Sequence, residues 1–235
     1  MELKALLQRL SEPARSAIEE LRCTNLDDLL RYSDKELLAL HGVGPKTIRI
    51  LNEFIDEHSL QRHPLRNALL IIDMQEALME ENPYQKDTLI ENINALIRSA
   101  RKRKDPIFFV RHDGGEGDSL AYGAAGWQVT KDLDYVDEPI IDKRYNSAFK
   151  DTNLESSLQA LNINQLMLVG MQTEYCVDAT LKSAFEKGYQ CLVLKGCTST
   201  FDNPWLKADQ LIDFYEQALW PSFARVIPIN EVNDA

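Results

Sequence analysis

The hydrophobic pattern changes character near residue 66. Beyond it, short apolar runs at 68–73, 106–111, 140–143, 166–170, 190–195 and 225–229 alternate with longer stretches at 86–104, 153–161, 176–188 and 205–219. In the longer stretches the apolar positions recur at helical spacing. Several of the short runs are continuously apolar, as in strands covered on both faces of a parallel sheet. Strand and helix in alternation predict a three-layer α/β/α sandwich around a mainly parallel six-stranded sheet.

Residues 1–60 carry a different, all-helical pattern. Apolar residues at helical spacing mark 3–10, and Ser11-Glu12-Pro13 opens a second helix with proline in its first turn. Thr24-Asn25-Leu26-Asp27 and Ser33-Asp34-Lys35-Glu36 read as capping boxes. A helix is predicted over 47–58. Just before it lies Leu40-His41-Gly42-Val43-Gly44-Pro45-Lys46, where the glycines permit a tight turn and expose backbone N–H groups. The predicted organisation is a small helical domain over 1–60, a linker over 59–65 containing Pro64, and an α/β domain over 66–235.

A chain of 235 residues has room for one large domain and one small one. No apolar run approaches the roughly 20 residues of a membrane span. Met1-Glu2-Leu3-Lys4 has no basic flank followed by an apolar stretch, so no signal peptide is expected. Cys23, Cys176, Cys191 and Cys197 form no paired framework, which fits a reducing, cytoplasmic setting. The net charge of −11 argues against general nucleic-acid binding, which requires basic surface.

Three polar residues stand at predicted strand ends, the edge where open parallel sheets build their sites. Asp73 ends the first run, Lys143 the third, and Cys176 follows the fourth at the expected first turn of a helix. A helix N-terminus and a nearby lysine both favour a thiolate. A carboxylate beside a thiol can take its proton and return it to a leaving amine. Each residue also has a plain reading: Cys176 as a buried structural thiol, Asp73 as a cap, Lys143 as a surface lysine. Cys191 lies within a strand run and reads as core, and Cys197 has no evident partner.

The blocks Leu70-Ile71-Ile72-Asp73-Met74-Gln75, Lys143-Arg144-Tyr145-Asn146-Ser147-Ala148-Phe149 and Gly170-Met171-Gln172-Thr173-Glu174-Tyr175-Cys176-Val177-Asp178-Ala179-Thr180 resemble the signature blocks of the isochorismatase-like cysteine hydrolases, in that family's order. The resemblance covers about 66–230. It implies a catalytic triad of Asp73, Lys143 and Cys176, a cis peptide between Met171 and Gln172, and an oxyanion hole from the backbone N–H groups of Gln172 and Cys176. It also implies assembly as a dimer or tetramer. Retention of the cysteine favours hydrolysis of an amide, ureide or imide-type C–N bond in a small molecule through a thioester.

Nicotinamidases of that family hold a metal with Asp-x-His and a second histidine. Here the corresponding region is His112-Asp113-Gly114-Gly115-Glu116, and one of the four histidines lies beyond residue 66. No metal and no cofactor are therefore expected. For the substrate pocket the candidates are Leu78 (where the family usually has an aromatic), His112, Tyr122, Trp127 and Gln172. His112 reads equally as a strand cap, and Trp127 equally as a core anchor.

The helical segment resembles a helix-hairpin-helix unit like the C-terminal domain of the bacterial RNA polymerase α subunit. Its hairpin residues Gly42, Gly44 and Lys46 would be the nucleic-acid contacts. Nine basic against eleven acidic residues over 1–63 argue against that use and favour protein docking or packing. The alternative function is a hydrolase scaffold serving as a binding or regulatory protein through this module.

Overall fold

The computed structural model describes residues 2–21, 23–62 and 65–229. The chain divides into two compact units, Met1–Leu65 and Arg66–Ala235.

The first unit holds α1 (Glu2–Arg9), α2 (Glu12–Glu20), α3 (Leu26–Leu30), α4 (Asp34–Ala39) and α5 (Pro45–Glu57). They enclose their own core, with Leu6, Leu29, Leu51 and Phe54 fully buried. The Ser33–Glu36 capping box is formed as read. The other box is shifted by one residue. Asn25 caps the backbone of Asp28, while Asp28 takes the N–H groups of Asn25 and Thr24. Thr24 instead donates its hydroxyl to the same carboxylate. The hairpin glycine Gly42 has φ +93°, and a Cβ there would stand 2.7 Å from the Pro13 carbonyl oxygen. Its lack of a side chain thus serves packing against α2. Lys46 is exposed, and Arg49 is ion-paired with Glu53.

Part of the expected linker belongs to this unit. Arg62 donates to the Tyr32 carbonyl and pairs with Asp34, and Leu65 N–H donates to the Arg31 carbonyl. His63 and Pro64 lie outside the described residues.

The second unit is a six-stranded, all-parallel sheet in the order β3-β2-β1-β4-β5-β6. The strands are β1 (Asn67–Ile72), β2 (Ile107–His112), β3 (Ile140–Lys143), β4 (Gln165–Met171), β5 (Gln190–Ser199) and β6 (Arg225–Pro228). One face packs on α8 (Leu154–Ala160) and α9 (Asp178–Glu186) through Leu154, Leu158, Leu181 and Ala184. The other packs on α7 (Lys86–Arg103) through Leu89, Ile93, Leu96 and Ile97, with Met79 of the short α6 (Glu76–Glu80). With both faces covered, β1 and β4 have no place for polar alternation, which is why they read as unbroken apolar runs. Successive strands run outward in opposite directions from β1 and β4. The order reverses between these two, and the crevice at their C-terminal ends is where this architecture places a ligand.

The predicted helix over 205–219 begins late. Asn203 Oδ1 accepts from both Trp205 and Leu206 N–H, Asp202 takes Ala208 N–H, and α10 runs from Ala208 to Phe214. A π-type segment, Tyr215–Leu219, continues it. Among the described residues no helix is long and apolar enough to cross a membrane.

Candidate active site

Asp73 leaves the end of β1 with φ +50°, its N–H bonded to the Val110 carbonyl on β2 at 2.9 Å. The left-handed backbone turns its carboxylate off the strand line into the crevice. On the neighbouring strand Gly170 (φ +113°) is paired with Ile72. A Cβ at Gly170 would lie 2.1 Å from the Ile72 carbonyl oxygen, so only glycine fits beside the residue that precedes Asp73.

Lys143 ends the edge strand β3, in register with His112 of β2, and Asp113 N–H donates to the Lys143 carbonyl at 2.8 Å. Cys176 follows β4. The Met171–Gln172 peptide is cis, as the resemblance implied. The Gln172 carbonyl then accepts from Tyr175 N–H (3.2 Å) and Val177 N–H (3.1 Å). The second bond spans five residues and makes Thr173–Val177 one wide π-type turn before α9. Cys176 therefore sits inside this turn and not on the first turn of an α-helix. The turn is braced from the end of β5 and the residue after it: Thr173 Oγ1 donates to the Ser199 carbonyl, and Thr200 Oγ1 donates to Glu174 Oε1.

The three side chains meet at the Lys143 ammonium. Its Nζ lies 2.7 Å from Asp73 Oδ2, 3.1 Å from Cys176 Sγ and 3.2 Å from His112 Nδ1. An ammonium has three protons to give, and here each has an acceptor. Because lysine only donates, His112 Nδ1 accepts, which puts the imidazole proton on Nε2. Burial lowers the His112 pKa, and the Lys143 charge lowers it further, so the ring is neutral. Burial disfavours the Lys143 ammonium, but Asp73 and Cys176 outweigh it and its pKa is raised.

The thiol departs from the sequence expectation. Burial, reinforced by the Asp73 charge and only partly offset by Lys143, pushes the Cys176 pKa up to about 12. At rest the group is a neutral thiol beside an ion pair. Sequence reasoning placed the cysteine at a helix start and overlooked that it is only 8% exposed. The other carboxylate oxygen of Asp73, Oδ1, is buried without a hydrogen-bond partner.

Asp73, His112 and Cys176 bring ligand atoms within 4.8 Å of one another. All three point at the Lys143 ammonium, so a positive charge already stands at their centre. The donor set is filled by a resident side chain and suits a metal ion poorly.

A cavity of about 210 Å³ opens onto the thiol, lined by Asp73, Leu78, His112, Leu120, Asn146, Gln172, Tyr175 and Cys176. Leu78, His112 and Gln172 lie in its wall as expected. Tyr122 and Trp127 do not line it. Trp127 is 5% exposed and serves as an anchor: the Arg111 guanidinium lies 3.5 Å over its ring, and Tyr122, itself 70% exposed, leans on it from outside. Leu120, Asn146 and Tyr175 were missed as wall residues. Asn146 and Tyr175 lay within the quoted blocks, so position alone was the available signal.

Gln75 was also missed as a functional support. Its amide is fully buried, donates to the carbonyls of His112 (3.0 Å) and Trp127 (2.9 Å), and accepts from His112 N–H (2.8 Å). It clamps the backbone of His112, which accepts a hydrogen bond from Lys143.

The Isochorismatase domain profile matches residues 67–230. The chain belongs to the isochorismatase family. As an isochorismatase-family hydrolase it has well-matched relatives among solved structures. An isochorismatase family protein of known crystal structure is 34% identical and superposes with a TM-score of 0.64 over 68% of this chain and 97% of its own. The isochorismatase family protein YrdC of Bacillus subtilis is 26% identical over 65% of this chain and 82% of its own length. Nicotinamidase 3 of Arabidopsis thaliana is 27% identical over 57% of this chain and 74% of its own length. The helical unit lies outside the domain match, which begins at residue 67.

Proposed function

We propose that this hydrolase cleaves a C–N bond of a small neutral amide, ureide or imide through a Cys176 thioester, without a metal. One observation carries the reading: a single buried ammonium bonds a thiol, a carboxylate and a neutral imidazole that all line a small cavity. The likeness to a nicotinamidase, an enzyme whose name specifies an amide, agrees with it.

The thiol proton passes to Asp73, whose Oδ1 has no other partner. The sulfur attacks the substrate carbonyl carbon, and the C=O electron pair moves onto oxygen. The backbone N–H groups of Gln172 and Cys176 are the proposed donors to that oxyanion, each worth about 3 kcal/mol in such a site. The oxyanion collapses, the C–N bond breaks, and Asp73 returns the proton to the departing nitrogen. Water then loses a proton to Asp73 and attacks the thioester. The acid leaves as the C–S bond breaks, and the sulfur takes its proton back from Asp73. Lys143 stays charged throughout and holds both partners in place. The cavity wall has no permanently charged group besides Asp73 and pairs Leu78, Leu120 and Tyr175 with the amides of Asn146 and Gln172. Such a surface suits a compact, uncharged substrate.

The test is ammonia or amine release from a panel of small amides and ureides, run after exhaustive chelation. Turnover is expected to survive chelation, with an acyl adduct on Cys176 visible by mass spectrometry. Cys176→Ala is expected to fold and to lose at least about a thousandfold in turnover. Full activity in that variant ends the covalent reading, and recovery only with added zinc or iron ends the metal-free one.

A further inference from the structure

A second cavity, of about 310 Å³, lies along the distal half of β5, and none of its wall is shared with the thiol cavity. Leu89 of α7 and Ile212 of α10 supply apolar surface. Thr198 of β5, Tyr84, Gln85 and three carboxylates, Asp209, Asp213 and Glu216, supply the polar part. Two of these polar side chains are buried and each carries an unmatched oxygen, Glu216 being otherwise held by a backbone hydrogen bond from Gly196. Glu216 is 6% exposed with Oε1 lacking a hydrogen-bond partner, and Thr198 is 4% exposed with Oγ1 likewise unpartnered. Native proteins rarely leave buried oxygens unpaired, because each costs about 1–3 kcal/mol.

The wall contains no lysine, arginine or histidine. The cation whose field reaches Glu216 is the exposed Lys195, outside the wall. A matching ligand must bring positive charge, N–H donors for acceptor-only carboxylates, and some apolar surface for Leu89 and Ile212. A bare divalent ion fits poorly. Among the described residues the grouping with three converging ligand atoms is the one at Asp73, so these carboxylates are too dispersed to coordinate one ion together.

We propose that this cavity is a second ligand site, which takes a small aliphatic amine in its ammonium form. Glu216 and Thr198 are its buried recognition groups, and Asp213 supplies charge at the rim. The site does not depend on the thioester reading above.

Isothermal titration of the full chain with 1,4-diaminobutane and with 1-aminobutane tests this, using 1-butanol and magnesium chloride as comparison probes. Saturable binding of at least one amine is expected, with no binding of the alcohol. Glu216→Gln is expected to weaken it about tenfold or more, the loss of one charge-assisted hydrogen bond. Asp213→Asn, at a solvent-exposed position, is expected to weaken it several-fold. If Glu216→Gln fails to fold, Thr198→Val and Asp213→Asn decide. No saturation by about 10 mM amine, weaker than any specific small-ligand site needs to be, overturns the proposal. So does equal binding of 1-butanol, unchanged affinity in the folded variants, or magnesium that binds alone and displaces the amine.

Discussion

The Lys143 ammonium lies 2.7 Å from Asp73 Oδ2, with the two side chains 0% and 2% exposed. A pair this dry is tolerated because each member neutralises the other. Lys143→Met strands the carboxylate and is expected to cost about 3–5 kcal/mol in urea unfolding. Adding Asp73→Asn to Lys143→Met is expected to restore much of that stability and none of the turnover. A double variant as unstable as Lys143→Met alone would mean that the pairing is not what holds these groups.

Gly170→Ala is expected to cost several kcal/mol and to abolish turnover, since its Cβ would fall 2.1 Å from the Ile72 carbonyl oxygen. The strain comes from backbone against backbone and acts one residue from Asp73. Gly188→Ala is the control: Gly188 has φ +85° with nothing within 4 Å of its Cβ, so it should lose stability through conformation alone and keep its turnover. Denaturant midpoints together with initial rates separate the two. A Gly170→Ala enzyme with normal rates would contradict the packing.

Stability should carry an acid-side signature from Glu216. Burial raises its pKa from 4.5 to about 7. A raised carboxyl pKa means that the folded state holds the proton more tightly than the unfolded one. The contribution is therefore fully present below pH 4.5 and is lost as the pH rises through about 7. Glu216→Gln keeps the neutral form at every pH. The variant should gain on the parent between pH 4.5 and 7, by an amount on the order of 1–3 kcal/mol. Parallel stability curves would remove Glu216 as the source.

A chain beginning at Arg66 is expected to fold and keep its turnover, because the sheet, the ammonium cluster and the thiol cavity all belong to the second unit. Circular dichroism and the amide assay check this. Residues 1–65 alone should give a cooperative melt, having a separate core around Leu29 and Phe54. At about 150 mM salt, where weak electrostatic binding is largely screened, they should bind duplex DNA weakly or not at all, as read by anisotropy. Gly42 packs on Pro13, and Arg49 is already paired with Glu53. Tight binding that Lys46→Glu abolishes would reverse that expectation.

The sheet was legible because burial on both faces writes itself into the chain as unbroken apolar runs, which is how β1 and β4 announce themselves. Asp73 and Cys176 were legible because each follows such a run, and Lys143 because it ends a shorter, edge-strand one. What remained hidden depends on contacts distant in sequence. The resting state of Cys176 follows from burial and from a carboxylate 103 positions earlier in the chain. Trp127 reads equally as pocket wall and as core anchor, and the Arg111 guanidinium stacked on its ring makes it the anchor. The late start of α10 goes with a turn in which Asn203 and Asp202 side chains accept the N–H groups of Trp205, Leu206 and Ala208, a contact pattern that residue spacing does not show.

The loop after β2 is fastened to itself at its tip and to Gln75, Arg111 and Lys143 at its two ends. Asp113 Oδ1 takes the N–H groups of Gly115 and Tyr122, Oδ2 pairs with Arg144, and Gly114 N–H returns to the Leu120 carbonyl. Of this loop, Leu120 alone reaches the thiol cavity, while the ammonium cluster stands on strand ends tied together by sheet hydrogen bonds. Selectivity therefore rests mainly on the same frame as reactivity, since Leu78, Asn146, Gln172 and Tyr175 lie outside the loop and Leu120 is its one contribution. A change at Leu120 can retune the fit of the cavity without renegotiating the chemistry beneath, whereas a different substrate shape calls for changes in the frame itself.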